Sequence, residues 1–195
     1  MDNIKLVLMG GTSHVGKSTL ARRLADDLGW NYLSTDQLAR HPGRPWNIGD
    51  RPVPEDVIEH YSKLAMAELV DSVLLHYRHN VWPIIDAIVR SRLRNRFDCG
   101  LVFEGSAILP ELVGASEYAR VSSIWLTVPE QLISERVLHS SDYETRSATE
   151  RRLIDAFLER TIAIDRFIRD ATDSNHQLCL DASSVDPYET LTSIA

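Results

Sequence analysis

The chain has 195 residues, enough for one α/β domain with a buried core. Its formal net charge of −7 gives no general attraction for nucleic acids or for anionic membrane surfaces, so neither is expected as a partner. The longest apolar stretches are far too short to span a bilayer, and no signal-peptide pattern precedes the first strand, so we expect a cytoplasmic protein.

The first predicted element is a buried parallel strand that runs into a glycine-rich turn and then into a helix. Apolar residues occupy most of positions 4 to 9, and others recur at helical spacing from Leu20 until Gly29 ends the helix. Between them, positions 11 to 18 read G-T-S-H-V-G-K-S, the full pattern of a phosphate-binding loop. Because a strand and a helix flank it, we predict nucleotide binding, and a glycine-rich turn without a ligand is the alternative.

Each residue type in this loop suits a triphosphate. Gly11 and Gly16 permit main-chain geometry in which successive N–H groups surround an anion, and the helix that follows directs its positive end to the same point. Lys17 is predicted to reach the β- and γ-phosphates as a catalytic group, and Ser18 to ligate Mg²⁺. The predicted cofactors are ATP and Mg²⁺, with GTP left open. The cofactor-binding residues assigned here are Gly11, Thr12, Ser13, His14, Val15, Gly16, Lys17, Ser18 and Thr19.

A second short strand is predicted at positions 30 to 33, and the polar residues Ser34, Thr35 and Asp36 follow it. Carboxyl ends of parallel strands face the ligand in α/β sheets, so Asp36 is a candidate general base, indirect Mg²⁺ ligand and substrate-binding residue. The alternative is that one of these three side chains only caps the short helical turn that follows.

The next segment, His41 to Pro54, is rich in proline and glycine and is predicted to be a loop. Three arginines and Trp46 lie in or beside it, which suggests the wall of a pocket for an anionic small molecule. Of these arginines, Arg40 and Arg44 are assigned to substrate binding. A solvated loop held by Trp46 is the alternative.

Two core-packing helices are predicted next, from Glu55 to about Arg78 and from about Trp82 to Arg96. A third strand at positions 101 to 103 then delivers Glu104 to the same sheet edge as the phosphate-binding loop. A carboxylate there can order Mg²⁺-bound water or hold an acceptor hydroxyl, and we assign Glu104 to substrate binding. The alternative is a strand-end charge that faces solvent.

A fourth strand is predicted at positions 121 to 127, and Thr127 with Glu130 has the spacing of a capping box for the next helix. A second capping box at Ser147 and Glu150 opens a long helix. A fifth strand at 177 to 180 and a terminal helix capped near Asp186 complete the predicted elements.

The polar residues between the two helices that follow the fourth strand have the form of a lid, at about 138 to 150. Arg136 and Arg146 are predicted catalytic residues that bring positive charge over the phosphates as the transition state forms. The alternative is that these arginines only form surface ion pairs with neighbouring glutamates.

These motifs resemble the P-loop small-molecule kinases related to adenylate, shikimate and 2-phosphoglycerate kinases. The resemblance rests on positions 11 to 19, on positions 34 to 40, where monophosphate kinases place an acceptor-binding arginine, and on the lid region. Positions 103 to 110 are similar to the third-strand region of 2-phosphoglycerate kinases. In this group the loop after the last strand lies against adenine, so the resemblance assigns Asp181 and Ser183 to cofactor binding.

The resemblance implies a three-layer α/β/α P-loop NTPase fold, with a five-stranded parallel sheet of order 2-3-1-4-5 and a helical lid. We expect a single domain over residues 1–195, with an acceptor-binding region at about 36–80. The implied activity is transfer of the ATP γ-phosphoryl group to a small, anionic metabolite or nucleotide. The alternative is a nucleotide-binding regulator or slow ATPase without a small-molecule acceptor. The sequence leaves the oligomeric state open.

Overall fold

The computed structural model of the protein describes residues 5–39, 43–47, 49, 51–95, 99–114, 118, 121–184 and 187–194. One sheet contains five parallel strands: β1 Leu6–Gly10, β2 Asn31–Ser34, β3 Leu101–Glu104, β4 Ser122–Thr127 and β5 Cys179–Asp181. Their order across the sheet is β2-β3-β1-β4-β5. The predicted P-loop NTPase fold and its strand order are confirmed.

Helices connect the strands and cover both faces of the sheet. Within the described ranges the α-helices are α1 Lys17–Leu28, α2 Glu55–Lys63, α3 Met66–His76, α4 Trp82–Arg94, α5 Pro110–Gly114, α6 Glu130–Ser140, α7 Ala148–Ser174 and α8 Pro187–Ile194. None of the described helices is both long and apolar enough to cross a membrane.

The central strand β1 is buried along its whole length, because it lies between two other strands and under helices on both sides. Its side chains alternate between two hydrophobic clusters. Val7 and Met9 pack in the cluster that contains α1 and α6, and Leu6 and Leu8 pack in the cluster that contains α4. The helix α7 contributes to both clusters. This packing holds the carboxyl end of β1, where the phosphate-binding loop begins.

The region between β2 and β3 differs from its prediction. The single helix expected from Glu55 to Arg78 is divided into α2 and α3, and the Glu68 carboxylate accepts a hydrogen bond from the Ala65 main-chain N–H at 2.8 Å at the new start. A π-helical turn, Tyr77–Val81, then joins α3 to α4. Apolar periodicity continues from α2 into α3, so it did not reveal that break, and the residues between the two predicted helices form the π-helical turn.

The two predicted capping boxes have different outcomes. The Ser147 hydroxyl accepts from the Glu150 N–H at 3.3 Å, and the Glu150 carboxylate accepts from the Ser147 N–H at 2.9 Å, which confirms the start of α7. The prediction for Thr127 was wrong: this residue ends β4, its hydroxyl donates to the Leu180 carbonyl at 3.4 Å, and α6 begins after Pro129 without a side-chain cap. The helix end predicted at Arg96 and the cap predicted at Asp186 lie outside the described residues.

Candidate functional site

The phosphate-binding loop lies between β1 and α1 and has three residues with positive φ. These are Gly11 at 132°, His14 at 67° and Gly16 at 99°. A Cβ atom on Gly11 would lie 2.4 Å from the Leu126 carbonyl oxygen, so only glycine fits against β4 at this point. The loop therefore has the tight turn and the following helix N-terminus that an anion site needs.

Lys17 is buried at the start of this helix, with 7% of its surface exposed. Its ammonium group donates a hydrogen bond to the Thr12 carbonyl at 2.6 Å, across the loop. Burial lowers the pKa of Lys17, and the negative charges of Glu104 and Asp36 oppose this effect. The side chain is thus a desolvated group held directly beside the loop, and its contact with phosphates stays a prediction.

Ser18 and Glu104 come together although they are far apart in the chain. The Ser18 hydroxyl donates to Glu104 Oε1 at 3.1 Å, and the Tyr32 hydroxyl donates to the same oxygen at 2.7 Å. Glu104 is 2% exposed, which excludes the alternative of a solvent-facing charge. Hydroxyl and carboxylate oxygens are the ligands that Mg²⁺ prefers, so this donor set fits the predicted metal.

A cavity of about 540 Å³ opens on the α1 side of the loop. The predicted residues that line it are His14, Val15, Gly16, Thr19 and Arg136. One guanidinium nitrogen of Arg136 donates to the His14 carbonyl at 2.7 Å, so this arginine joins α6 to the loop. The geometry brings Arg136 to the cavity on the α1 side of the loop.

The loop after β5 reaches this cavity through Ala182. Asp181 Oδ1 accepts hydrogen bonds from the Ser183 N–H at 2.8 Å and from the Ser183 hydroxyl at 2.6 Å. These two hydrogen bonds are the main reason why the pKa of Asp181 is lowered. The two side chains predicted to contact the nucleotide thus bond to each other, and their cofactor role stays a prediction.

A second cavity of about 560 Å³ lies on the other side of the loop. Its polar lining includes Ser13, Asp36, Arg44, Tyr77, Ser106 and Arg160. Ser34 provides the cap of the short 3-10 turn, because its hydroxyl accepts from the Asp36 N–H at 3.4 Å. The cap and the cavity-facing carboxylate are therefore different residues, and Asp36 lies where the sequence placed a candidate base.

The sequence analysis missed Arg160, which has only 5% of its surface exposed on α7. Its guanidinium donates to the Tyr61 hydroxyl and lies 4.6 Å from the centre of the Phe157 ring. Its Nε is buried and has no hydrogen-bond partner among the described residues. A signal was present, because Arg160 interrupts the apolar helical face formed by Phe157 and Ile164.

Two other predicted residues are not placed at either cavity. Arg146 donates from Nε to the Ser141 carbonyl at 2.7 Å and approaches Glu150 at 3.4 Å, so it stabilises the turn between α6 and α7. Its role over the phosphates stays a prediction. Arg40 lies outside the described residues.

Comparison with known proteins gives relatives among small-molecule kinases, although no protein-family model matches the chain. Adenylate kinase from Thermus thermophilus is 26% identical over 175 residues, which cover 83% of this chain and 81% of that protein. Among solved structures, shikimate kinase from Aquifex aeolicus has a TM-score of 0.46 at 13% identity, over 97% of this chain and 93% of that one. A gluconokinase from Sinorhizobium meliloti has a TM-score of 0.41 at 14% identity, over 89% and 99%.

The phosphate-binding loop, the strand order and the adenylate kinase relationship agree with one another. The chain has the P-loop NTPase fold and resembles the P-loop small-molecule kinases.

Proposed function

We infer that this protein is an ATP-dependent phosphotransferase that moves the γ-phosphoryl group to a small, anionic acceptor. The observation that carries this proposal is the position of the two cavities on either side of one loop. Ser13 lines the cavity that contains Asp36, whereas the next three residues line the cavity on the α1 side. A donor and an acceptor bound in these cavities would meet beside Lys17.

The chain offers a separate group for each requirement of phosphoryl transfer. Main-chain N–H groups of the loop and Lys17 would hold the β- and γ-phosphates and offset charge on the moving group. Ser18 directly, and Glu104 through water, would hold Mg²⁺, which would offset the negative charge of the phosphates. Arg136 contacts the loop carbonyl of His14 and would add positive charge on the nucleotide side.

Asp36 would orient the acceptor hydroxyl and accept its proton. The carboxylate follows β2 at the ligand edge of the sheet and lines the same cavity as Ser13 of the loop. An acceptor hydroxyl hydrogen-bonded to Asp36 would therefore face the end of the triphosphate. This arrangement is the one that a general base needs.

The charge of the cavity favours an anionic acceptor. Arg44 and Arg160 both line it, and Asp36 is the one carboxylate among the described residues of its lining. A buried guanidinium is costly unless its donors are paired, and Arg160 Nε lacks a partner among the described residues. A carboxylate or phosphate group on the acceptor would supply that partner, since guanidinium donors bind such groups in a bidentate manner.

The experiment that tests the proposal is a thermal-shift screen of phosphorylated and carboxylated metabolites with Mg·ADP, followed by transfer assays with labelled ATP. A compound that binds the native protein raises its melting temperature. We expect at least one hit to accept label and to raise ATP turnover well above the rate without acceptor. A turnover rate that no metabolite raises would instead favour a regulator or slow ATPase.

Replacing Asp36 by Asn tests the proposed base with little change in shape. We expect kcat for the acceptor found in the screen to fall by about 10²- to 10⁴-fold, because proton removal is lost. Affinity for Mg·ADP, measured by calorimetry, should stay within about 2-fold, since Asp36 lines the other cavity. A kcat within a few-fold of the wild-type value would contradict the role of Asp36.

A further inference from the structure

His14 of the phosphate-binding loop contacts α6, α7 and Trp46. Its φ of 67° is in the left-handed region, which a histidine occupies with strain. Its carbonyl accepts the hydrogen bond from Arg136, and its imidazole Nε2 lies 3.1 Å from the Ser140 hydroxyl at the end of α6. A strained, non-glycine residue at this position calls for a physical reason.

The imidazole is held at one of its two nitrogens. His14 Nε2 and the Ser140 hydroxyl share a hydrogen bond at 3.1 Å, and the imidazole tautomer sets which of them donates. The Ser140 oxygen also lies 3.2 Å from the Val137 carbonyl, so it is anchored to α6. The Nδ1 atom of His14 is buried and has no partner among the described residues.

The surroundings of the ring keep it neutral. Burial, followed by the positive charges of Arg44, Lys17 and Arg136, lowers the pKa of His14 to about 4. The imidazole is thus an uncharged ring near neutral pH, with one hydrogen-bonded nitrogen and an aromatic face.

The same ring packs against the acceptor side of the site. It lies 5.9 Å from Phe157, edge to face, and 6.2 Å from Trp46 between ring centres. Trp46 is only 4% exposed and stacks edge-on against Phe157 at 4.9 Å. Phe157 and Arg44, two residues before Trp46, both line the acceptor cavity. One side chain therefore joins the phosphate loop, the end of α6 and the segment around Trp46.

We propose that His14 is a positioning residue that couples the two cavities, so that a nucleotide in the phosphate-binding loop changes the packing of Trp46 and the acceptor-side segment. The main chain of His14 belongs to the loop that closes on phosphate, and its ring must move with that main chain. Because Ser140 holds the ring from one side, its movement is transmitted to Trp46 and Phe157. The inference requires only that nucleotide binds the loop, so it can fail or succeed independently of phosphoryl transfer.

The test uses the full chain labelled with 5-fluorotryptophan, whose four tryptophans give separate fluorine resonances. The Trp46 resonance is assigned with Trp46→Phe, and Mg·ADP is added to saturation. In the wild type we expect the Trp46 resonance to shift. In His14→Gly, which removes the ring and suits the positive φ, we expect less than about a fifth of that shift. Trp82 on α4 is the internal control, and its resonance should be the same in both proteins.

Ser140→Ala removes the hydrogen bond and leaves the ring in place. We expect the Trp46 resonance of this variant to shift less on addition of Mg·ADP than that of the wild type. When it is combined with His14→Gly, we expect no further decrease in that shift. If His14→Gly folds poorly, the Trp46 shift of the wild type is compared with those of Ser140→Ala and His14→Phe, which both remove the hydrogen bond between residues 14 and 140. A Trp46 shift of wild-type size in these folded variants would overturn the proposal.

A binding measurement gives an independent readout that a purely structural role would not change. For an acceptor identified by the screen, Mg·ADP should raise its affinity by about 5-fold or more in the wild type and by less than about 2-fold in His14→Gly. Equal enhancement in both proteins would contradict coupling through His14.

Discussion

Lys17→Met is expected to abolish phosphoryl transfer without destabilising the protein. The ammonium group is the cation held beside the phosphate-binding loop, with its Nζ 2.6 Å from the Thr12 carbonyl. Removing one preorganised charge from a transferring phosphoryl group lowers kcat by about 10²- to 10³-fold or more. The loss is measured as label transfer from ATP to the acceptor, with nucleotide at saturation.

The stability of Lys17→Met follows from the pKa of the lysine. Burial lowers that pKa, which means that the folded state binds the proton less tightly than the unfolded chain does. At pH 7 the charged lysine therefore opposes folding, although its hydrogen bond to Thr12 returns about 1 kcal/mol. We expect urea denaturation to give a free energy of unfolding equal to that of the wild type or higher.

The pH dependence of the free energy of unfolding tests whether the lowered pKa of Lys17 is the cause. Between the lowered pKa of the folded state and the ordinary pKa, the unfolded chain binds more protons, so wild-type stability rises with pH there. The difference in the free energy of unfolding between Lys17→Met and the wild type should therefore become smaller as the pH rises through that range. Lys63→Met is the matched control, because Lys63 is exposed on α2 and pairs with Glu59. A large loss of stability, or turnover like that of the wild type, would contradict the role of Lys17.

Arg160→Met is expected to remove acceptor binding and to leave nucleotide binding intact. The guanidinium lines the acceptor cavity and is satisfied only in part, by the Tyr61 hydroxyl and the face of Phe157. Charged hydrogen bonds contribute about 1.5–3 kcal/mol, so we expect affinity for an anionic acceptor to fall about 10- to 100-fold. Calorimetry with the acceptor and, separately, with Mg·ADP measures the two affinities.

The free protein should tolerate this change. Methionine keeps the unbranched stem that packs on Phe157, and it removes a buried charge that has no carboxylate bonded to it among the described residues. The melting temperature is therefore expected to stay the same or rise. Arg166→Met on the same helix is the control, because Arg166 is exposed, pairs with Glu130 and lies outside the cavity. An acceptor affinity within about 2-fold of the wild-type value would show that the anion binds elsewhere.

Features that depend on neighbouring residues were predicted correctly from the sequence. The strand, the glycine-rich loop and the helix at positions 6 to 28 form because apolar spacing and glycine positions act over a few residues. The capping box at Ser147 is equally local. The strand order could also be predicted, because it came with the motif resemblance.

Some contacts between distant segments were predicted, such as the position of Glu104 beside the phosphate-binding loop, because parallel strands end at one sheet edge. Others were not predicted. Arg160 meets Tyr61 across 99 positions, and His14 meets Ser140 across 126. No periodicity or motif joins such residues, and the place of Arg160 on an apolar helical face does not identify its partners. The break between α2 and α3 was hidden for a similar reason, since the apolar stripe continues through it.

The amino-acid sequence by itself predicted a phosphate-binding loop and a parallel sheet around it, because glycine conformations and apolar spacing act locally. Only the tertiary structure decided which charged groups share a cavity with that loop. Packing of α6 and α7 on the sheet places Arg136 on one side of the loop and Arg160 on the other. That placement depends on the burial of residues more than a hundred positions away from the loop. Because the hydrophobic effect is non-directional, apolar spacing does not specify which distant segments pack together.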